Sequence, residues 1–226
     1  MSQQPTPPPM PSPIRLVLTL ALIAMLSGVT VVFAYQITLE PIARNHRLAL
    51  ERAVFEVLPG AVDRANFLVE GDSLTALPDD EGDRANVYAG YADDGTLVGV
   101  AMEGSARGYA DNVRVLYGYS LEDECIIGFT VLQSSETPGL GEKIGSDPAF
   151  LANFECLDVR LNDAGTDLAN PIRTVGPGEE SEPWEIDGIA GATVSSQAVG
   201  RALRESASRK IPVIRDHAQL LTEERN

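Results

Sequence analysis

The chain has 226 residues, 44% of them hydrophobic and 22% charged, with 33 acidic against 17 basic residues and a net charge of −16. That is enough for one domain with a real core. With Lys143 and Lys210 as its only lysines, it is too acidic to bind a phosphate backbone, which excludes nucleic acid as a partner. Cys125 and Cys156 cannot build a disulfide-rich scaffold or a four-cysteine zinc site, and the isolated His46 and His217 have no metal-ligand spacing.

Residues 1–15, opening MSQQPTPPPMPSPI, read as an extended, disordered proline-rich tail. From Leu16 to Tyr35 the sequence runs without a charge, long enough at about 1.5 Å per residue to cross a hydrocarbon core of roughly 30 Å. The region 16–35 is therefore assigned as a transmembrane helix. A cleaved signal peptide is the competing reading; its apolar region is usually shorter, and Val32-Phe33-Ala34 is a poor small-residue cleavage site. Charge counting favours no side or, mildly, a cytoplasmic placement of the domain that follows: Arg15 and the amino group stand on one side, and Arg44, Arg47 and Arg52, mixed with Glu40 and Glu51, on the other.

Residues 36–60 are expected to form an amphipathic linker helix, with Ile42, Leu48, Leu50, Val54, Phe55 and Leu58 at spacings of three to four, ended by Leu58-Pro59-Gly60. Residues 60–84, rich in Asp, Gly and Pro, read as loop with one short strand. Four runs follow, Asn86 to Tyr91, Thr96 to Glu103, Asn112 to Ser120 and Glu124 to Gln133, rich in Val, Ile, Tyr and Phe; turn signals that include Gly-Ser-Ala-Arg-Gly separate them. They predict an antiparallel meander. Pro148 to Phe154 predicts a short helix and Cys156 to Leu161 a strand. Thr193 to Ser208 predicts a helix with Val194, Ala198, Val199, Ala202 and Leu203 on one face. The fold class is α+β: one transmembrane helix, then a single domain over 61–210 with a meander sheet and flanking helices, and a C-terminal tail or helix over 211–226. Cys125 and Cys156 read as buried thiols, with pairing open in an oxidising compartment.

Two segments exceed what a scaffold needs. The first is Ser135-Glu136-Thr137-Pro138-Gly139-Leu140-Gly141-Glu142-Lys143, in which Pro138 and Gly139 form a tight turn. The second is Ile186-Asp187-Gly188-Ile189-Ala190-Gly191-Ala192-Thr193-Val194-Ser195-Ser196. Its small residues let the backbone approach another body closely, and the free N–H groups where Thr193 opens a helix favour an anion. On spacing alone, Thr193 as an ordinary N-cap after a glycine-rich turn is the preferred reading, with a phosphate donor or covalent ester as the alternative.

The two segments together, Glu136-Thr137-Pro138-Gly139-Leu140-Gly141 and then Asp187-x-x-Ala-Gly-Ala-Thr193 with Ser195-Ser196, resemble the FMN-binding domain of the G subunit of Rnf/Rsx-type electron transport complexes. The C subunit of sodium-translocating NADH:quinone reductases is a more distant relative. The resemblance spans roughly 14–210, including the N-terminal anchor. It implies FMN bound covalently as a phosphoester on Thr193, installed from FAD by a flavin transferase that recognises the surrounding motif. It further implies cofactor contacts from Glu136, Thr137, Gly139, Leu140, Gly141, Asp187, Gly191, Ala192 and Ser195, with Leu140 against the ring. The implied protein is an electron-transfer subunit with no activity alone. It would be anchored by a single span in the cell inner membrane with its flavin domain on the periplasmic or extracellular side, and partnered by the other subunits of an ion-translocating oxidoreductase. A non-redox assembly module that has lost flavin is the alternative. The chain departs from the family pattern at Ala190, where Ser or Thr is usual, and at Gly108-Tyr109-Ala110-Asp111-Asn112 in place of a GYGG stretch. Trp184 reads as core filler. Ser195 and Ser196 sit in no nucleophile elbow, which leaves an acyl hydrolase unsupported.

Overall fold

The computed structural model describes residues 12–223, the side chain of His46 excepted; most of the proline-rich tail expected over 1–15 lies outside that range. Helix α1 runs without a break from Pro13 to Val57, through Pro41, so the span and linker read separately from the sequence form one helix. It is long and apolar enough to cross a membrane. Within it the hydroxyls of Thr19, Thr30 and Thr38 donate to the carbonyls of Arg15, Leu26 and Ala34, so these three donors would not enter hydrocarbon unpaired. The chain divides into a unit through Arg47 and a second beginning at Leu48.

The second unit is built on a seven-stranded antiparallel sheet. Its strands are β1 (Asp63–Glu70), β2 (Ser73–Leu77), β3 (Val87–Tyr91), β4 (Leu97–Arg107), β5 (Asn112–Ser120), β6 (Cys125–Gln133) and β7 (Leu157–Asp158), in the spatial order β2-β1-β3-β4-β5-β6-β7. Between β6 and β7 lies the short helix α2 (Pro148–Ala152). Asp147 caps it by accepting from the N–H groups of Ala149 and Phe150, and Pro148 occupies the position where a missing N–H costs nothing. A small parallel pair, β8 (Arg173–Val175) with β9 (Glu185–Asp187), precedes the long helix α3 (Thr193–Asp216) and the short α4 (Ala218–Glu223).

Both faces of the sheet are covered, which is why its strands read as nearly continuous apolar runs. Val87, Ala89, Tyr91, Val100, Met102, Val115 and Tyr117 pack with Ala198, Val199, Ala202 and Leu203 of α3. The alternate residues Tyr88, Ala101 and Leu116 pack with Ala53, Val54, Val57 and Leu58 on the other side. Glycines in β3 to β6 admit the latter group: a Cβ on Gly118 would lie 2.0 Å from the Val57 carbonyl oxygen, and one on Gly128 2.3 Å from it. Buried polar ties hold α3 down. Tyr117 donates to Ser206 Oγ (2.9 Å), Ser206 donates to the Glu103 carbonyl (2.7 Å), and Lys210 Nζ donates to the carbonyls of Asn86 (2.9 Å) and Glu103 (3.0 Å). Tyr91 donates to the Leu221 carbonyl (2.7 Å) and so ties down α4.

Several expectations are corrected. Residues 60–84 hold two strands rather than one, paired through a tight turn at Gly71 (φ 59°) that the polar composition obscured. The stretch Gly104-Ser105-Ala106-Arg107 belongs to β4, because Gly104 lets the strand run close against α3: a Cβ there would lie 2.7 Å from the Ala202 carbonyl oxygen. Helix α3 passes Ser208 and Pro212, since Ile211, Val213 and Ile214 continue its buried face. Val194 lies off that face and is exposed, as is Phe55 in α1, where Ala53 and Val57 pack instead. Trp184 is only half-buried. Cys125 and Cys156 form a disulfide, with Cα atoms 5.2 Å apart, instead of remaining thiols.

The glycine approach makes Gly118→Ala strongly destabilising, by about 3 kcal/mol, because backbone and not a flexible side chain must yield. Urea unfolding of the isolated body from Leu48 onward measures it. A second expectation concerns Lys210, whose burial pushes its ammonium down to about 8 from 10.5, against the favourable field of Glu103. The unfolded chain therefore holds the proton that the folded chain has shed between those values, so unfolding free energy is lowest below pH 8 and rises with pH above it. Between pH 8 and 9.5 the gain is about 2 kcal/mol in the parent and absent from Lys210→Met; Tyr88 and Tyr117, raised by burial, act in the opposite direction only at higher pH.

Candidate functional site

The site is assembled from three segments distant in sequence. The first is the β4–β5 turn, residues 107–112. The second leaves β6 at Gln133 and turns sharply: Pro138 and Gly139 (φ 75°) occupy the centre of a type II turn closed by the Leu140 N–H on the Thr137 carbonyl (3.1 Å). The Glu142 N–H reaches the same carbonyl (3.3 Å), while the Glu142 carboxylate, which stays at the surface, accepts from the Gly139 N–H (3.2 Å). A 3-10 turn over Gly141–Gly145 follows, with Ile144 buried. This excursion is held at its far end by Phe129 of β6, stacked on Phe154 at 4.2 Å between ring centres and edge-on to Phe150, and by the Cys125–Cys156 bond.

The third segment enters from β9. Asp187 is fixed at both ends: its N–H donates to Asn153 Oδ1 (2.7 Å) and its Oδ1 accepts from the Gly178 N–H (2.6 Å). Gly188 donates to the Val175 carbonyl, with no room for a Cβ. Ile189 donates to Ser196 Oγ (3.1 Å), Ala192 closes on the Ile189 carbonyl (3.0 Å), and Gly191 takes φ 80°, a left-handed turn that glycine adopts without strain. The chain then enters α3 with buried Ala192 at the N-cap position, which has no side-chain oxygen. Thr193 is thus the first helical residue and not the cap that spacing suggested. It is exposed, and the first N–H groups of α3 receive no side-chain cap.

Glu136 joins the three segments. It is 6% exposed, and its two carboxylate oxygens are used separately: Oε2 accepts a short hydrogen bond from the Ser195 hydroxyl, and Oε1 accepts from the Ala110 N–H (3.1 Å). Two glycines make room for it: a Cβ on Gly108 would sit 2.4 Å from Oε1, and one on Gly141 2.6 Å from Ser195 Oγ. The sequence expectations for Glu136, Gly141 and Ser195 therefore meet at one buried node. Thr137 and Gly139 lie on the exposed turn, and Leu140 projects beside the last motif, 3.7 Å from where a Cβ on Gly191 would be. Asp187 stands at the end of β9 and shapes the loop entering Thr193.

Outside α1, the large apolar residues left exposed among those described are Val62, Tyr109, Leu140 and Val194. Three of these four lie on the segments that Glu136 gathers. Sequence reasoning singled out Ser196 and the stretch 108–112 but gave neither Tyr109, the Ala110 N–H nor Asn153 a part in this network.

An uncapped helix end beside exposed apolar side chains suits a ligand with a phosphate and a flat ring, and comparison with known proteins agrees. Residues 108–208 match the family model described as the FMN-binding domain. The G subunit of the ion-translocating oxidoreductase complex of Methanosarcina acetivorans is 30% identical over 192 residues, 85% of this chain and 91% of that one. The G subunit of the proton-translocating ferredoxin:NAD(+) oxidoreductase complex of Clostridium ljungdahlii is 24% identical over 83% of this chain and 85% of its own. Among solved structures, the C subunit of the Na(+)-translocating NADH-quinone reductase of Parabacteroides distasonis shares the fold, with a TM-score of 0.62 at 18% identity over 78% of this chain and 96% of that one. The chain belongs to the family of G subunits of ion-translocating oxidoreductase complexes, and its FMN-binding domain carries the site gathered by Glu136.

Proposed function

We propose that this protein is a membrane-anchored flavoprotein subunit that carries FMN as a phosphoester on Thr193 and relays electrons between other subunits of an ion-translocating oxidoreductase. The observation that carries this reading is Thr193 itself, an exposed hydroxyl-bearing residue at the uncapped start of a 24-residue helix, followed by exposed Val194 and preceded by Gly191, beside which exposed Leu140 lies. The first N–H groups of α3 would hold the phosphate, and Leu140 and Val194 would supply apolar contact to the ring. Glu136 and Ser195 set the position of the turn against the helix, and Asp187 with Gly191 presents the threonine. FMN, once bound, supplies one- and two-electron transfer.

Attachment is a phosphoryl transfer carried out by a separate flavin transferase with FAD as donor. The Thr193 Oγ1–phosphorus bond forms, the phosphoanhydride of FAD breaks, and AMP leaves while the hydroxyl proton is released. An unassisted threonine hydroxyl is a poor nucleophile, which is why an external enzyme is needed. The exposure of Thr193, Val194 and Ala190 gives such an enzyme access to the motif. The disulfide supports a domain facing the periplasm or cell exterior, since such bonds persist in oxidising compartments, whereas the flanking charges favour no side or, mildly, the cytoplasmic one.

When the chain is produced together with its transferase, the parent is expected to show flavin fluorescence that survives a denaturing gel, and Thr193→Ala to show none. Because the Thr193 side chain caps nothing, the unfolding free energy of that variant should match the parent within the roughly 0.5 kcal/mol typical of a neutral surface change. A parent without covalent flavin would overturn the reading in favour of a non-redox assembly module. Leu140→Asp separates the two motifs: the ester should still form, while a carboxylate beside the ring makes the flavin harder to reduce in a visible redox titration. A titration identical to the parent's would remove Leu140 from the ring contact.

A further inference from the structure

The β4–β5 turn is held far more firmly than an ordinary hairpin tip. The Gly108 N–H donates to the Asp111 carbonyl (2.8 Å), and the Asn112 N–H to Asp111 Oδ1 (2.7 Å). The Arg107 guanidinium spans the turn, reaching Asp111 Oδ1 (3.1 Å) and the Ala110 carbonyl (3.2 Å). Two further bonds lead elsewhere: the Ala110 N–H to Glu136, and the Arg201 guanidinium of α3 to the Arg107 carbonyl (2.7 Å). At the centre of this turn stands Tyr109, 72% exposed, the most exposed large apolar residue of the described chain outside α1. The ring itself, left largely in water, is not held there by burial in the core. The fixed backbone around it does preorganise a flat surface for a ligand.

We infer that Tyr109 stacks on the isoalloxazine ring of the FMN carried by Thr193 and so fixes the ring's orientation, an inference that rests on the function proposed above. The occupant is argued from the two outward ties. Both end on the attachment helix: Glu136 bonds Ala110 with one oxygen and Ser195, two residues beyond Thr193, with the other, and Arg201 sits two turns further along α3. The neighbour of Tyr109 in the turn, Ala110, and Ser195 in the first turn of the helix that Thr193 opens are thus tied to the two oxygens of a single carboxylate. Leu140 and Val194 add apolar surface but no aromatic plane, so among the exposed apolar side chains of this site Tyr109 alone offers the offset stacking a flat ring prefers. Gly108 beside it has no room for a Cβ, so the turn cannot adopt another packing without displacing Glu136.

The test uses the full chain flavinylated by its transferase, as parent, Tyr109→Ala, Tyr109→Phe and, as a control at a comparably exposed apolar residue beside the end of β3, Val62→Ala. Flavin emission and its quenching by iodide are read on material with equal covalent loading and equal melting temperature. Loss of the stack should raise iodide access to the ring in Tyr109→Ala by about 2- to 10-fold, the loss expected of one aromatic pair, with brighter emission because an adjacent tyrosine quenches flavin. Tyr109→Phe and Val62→Ala should behave like the parent in access. If Tyr109→Ala matches the parent, or Tyr109→Phe matches Tyr109→Ala, the inference is overturned while the attachment on Thr193 stands. If the parent carries no covalent flavin, it is the attachment reading that fails.

Discussion

A buried carboxylate is costly to desolvate unless each oxygen is met by a donor, and Glu136 meets that cost in a way that organises the whole site. One oxygen takes the Ser195 hydroxyl and the other the Ala110 N–H, so three segments separated by up to eighty-five positions in sequence close on one residue. Neither Gly108 nor Gly141 could carry a side chain beside it, because the carboxylate and the serine already fill the space. Glu136 thus acts from inside the protein. The surfaces it aligns, the Thr137–Leu140 turn, Tyr109 and the start of α3, are those left free to meet a cofactor.

The sheet makes this node rigid. Its central strands are packed on both faces, by α3 on one and by the residues from Ala53 to Leu58 on the other, and glycines where the backbone of Val57 approaches allow the second layer to lie close. The excursion between β6 and β7, which carries the turn at Pro138, would otherwise be a long surface loop. It is tied down by a cluster of three phenylalanines, one pair stacked and two edge-on, by Asn153 on the backbone of Asp187 and by the disulfide near the end of the excursion. Closing a loop of 31 residues in the unfolded chain contributes on the order of 3 to 4 kcal/mol. A tethered ring of the kind proposed would need such stiffness, since orientation is lost with the first ångström of play.

Local stability is given up on the face proposed to bind the ligand. A serine or aspartate at position 192 would cap α3 and satisfy its first N–H groups, yet the chain has a buried alanine there and places its hydroxyl one residue later, outward. The apolar side chains of Leu140, Val194 and Tyr109 are likewise left in water although the core lies a few residues away from each. Departures from the stabilising choice, concentrated on one surface, are the physical mark of a functional site.

The sequence by itself determined whatever depends on local periodicity and composition: the apolar span, the four-stranded meander, the short helix opened by Asp147-Pro148, the turn at Pro138-Gly139 and the pair of motifs that places the chain among FMN-binding domains. These are legible because side-chain spacing, proline geometry and hydrocarbon length act within a few residues. Only the tertiary structure decided which distant groups meet. The spacing of Thr193 suited a cap, and the choice of Ala192 instead followed from the loop closing through Ile189 and Ser196. Nothing local to Glu136 shows that Ser195 and Ala110 are brought to its two oxygens across the fold. The pairing of Cys125 with Cys156, the second strand hidden among polar residues before β3, and the continuation of α3 past Pro212 share one cause: burial against a partner that no local window contains.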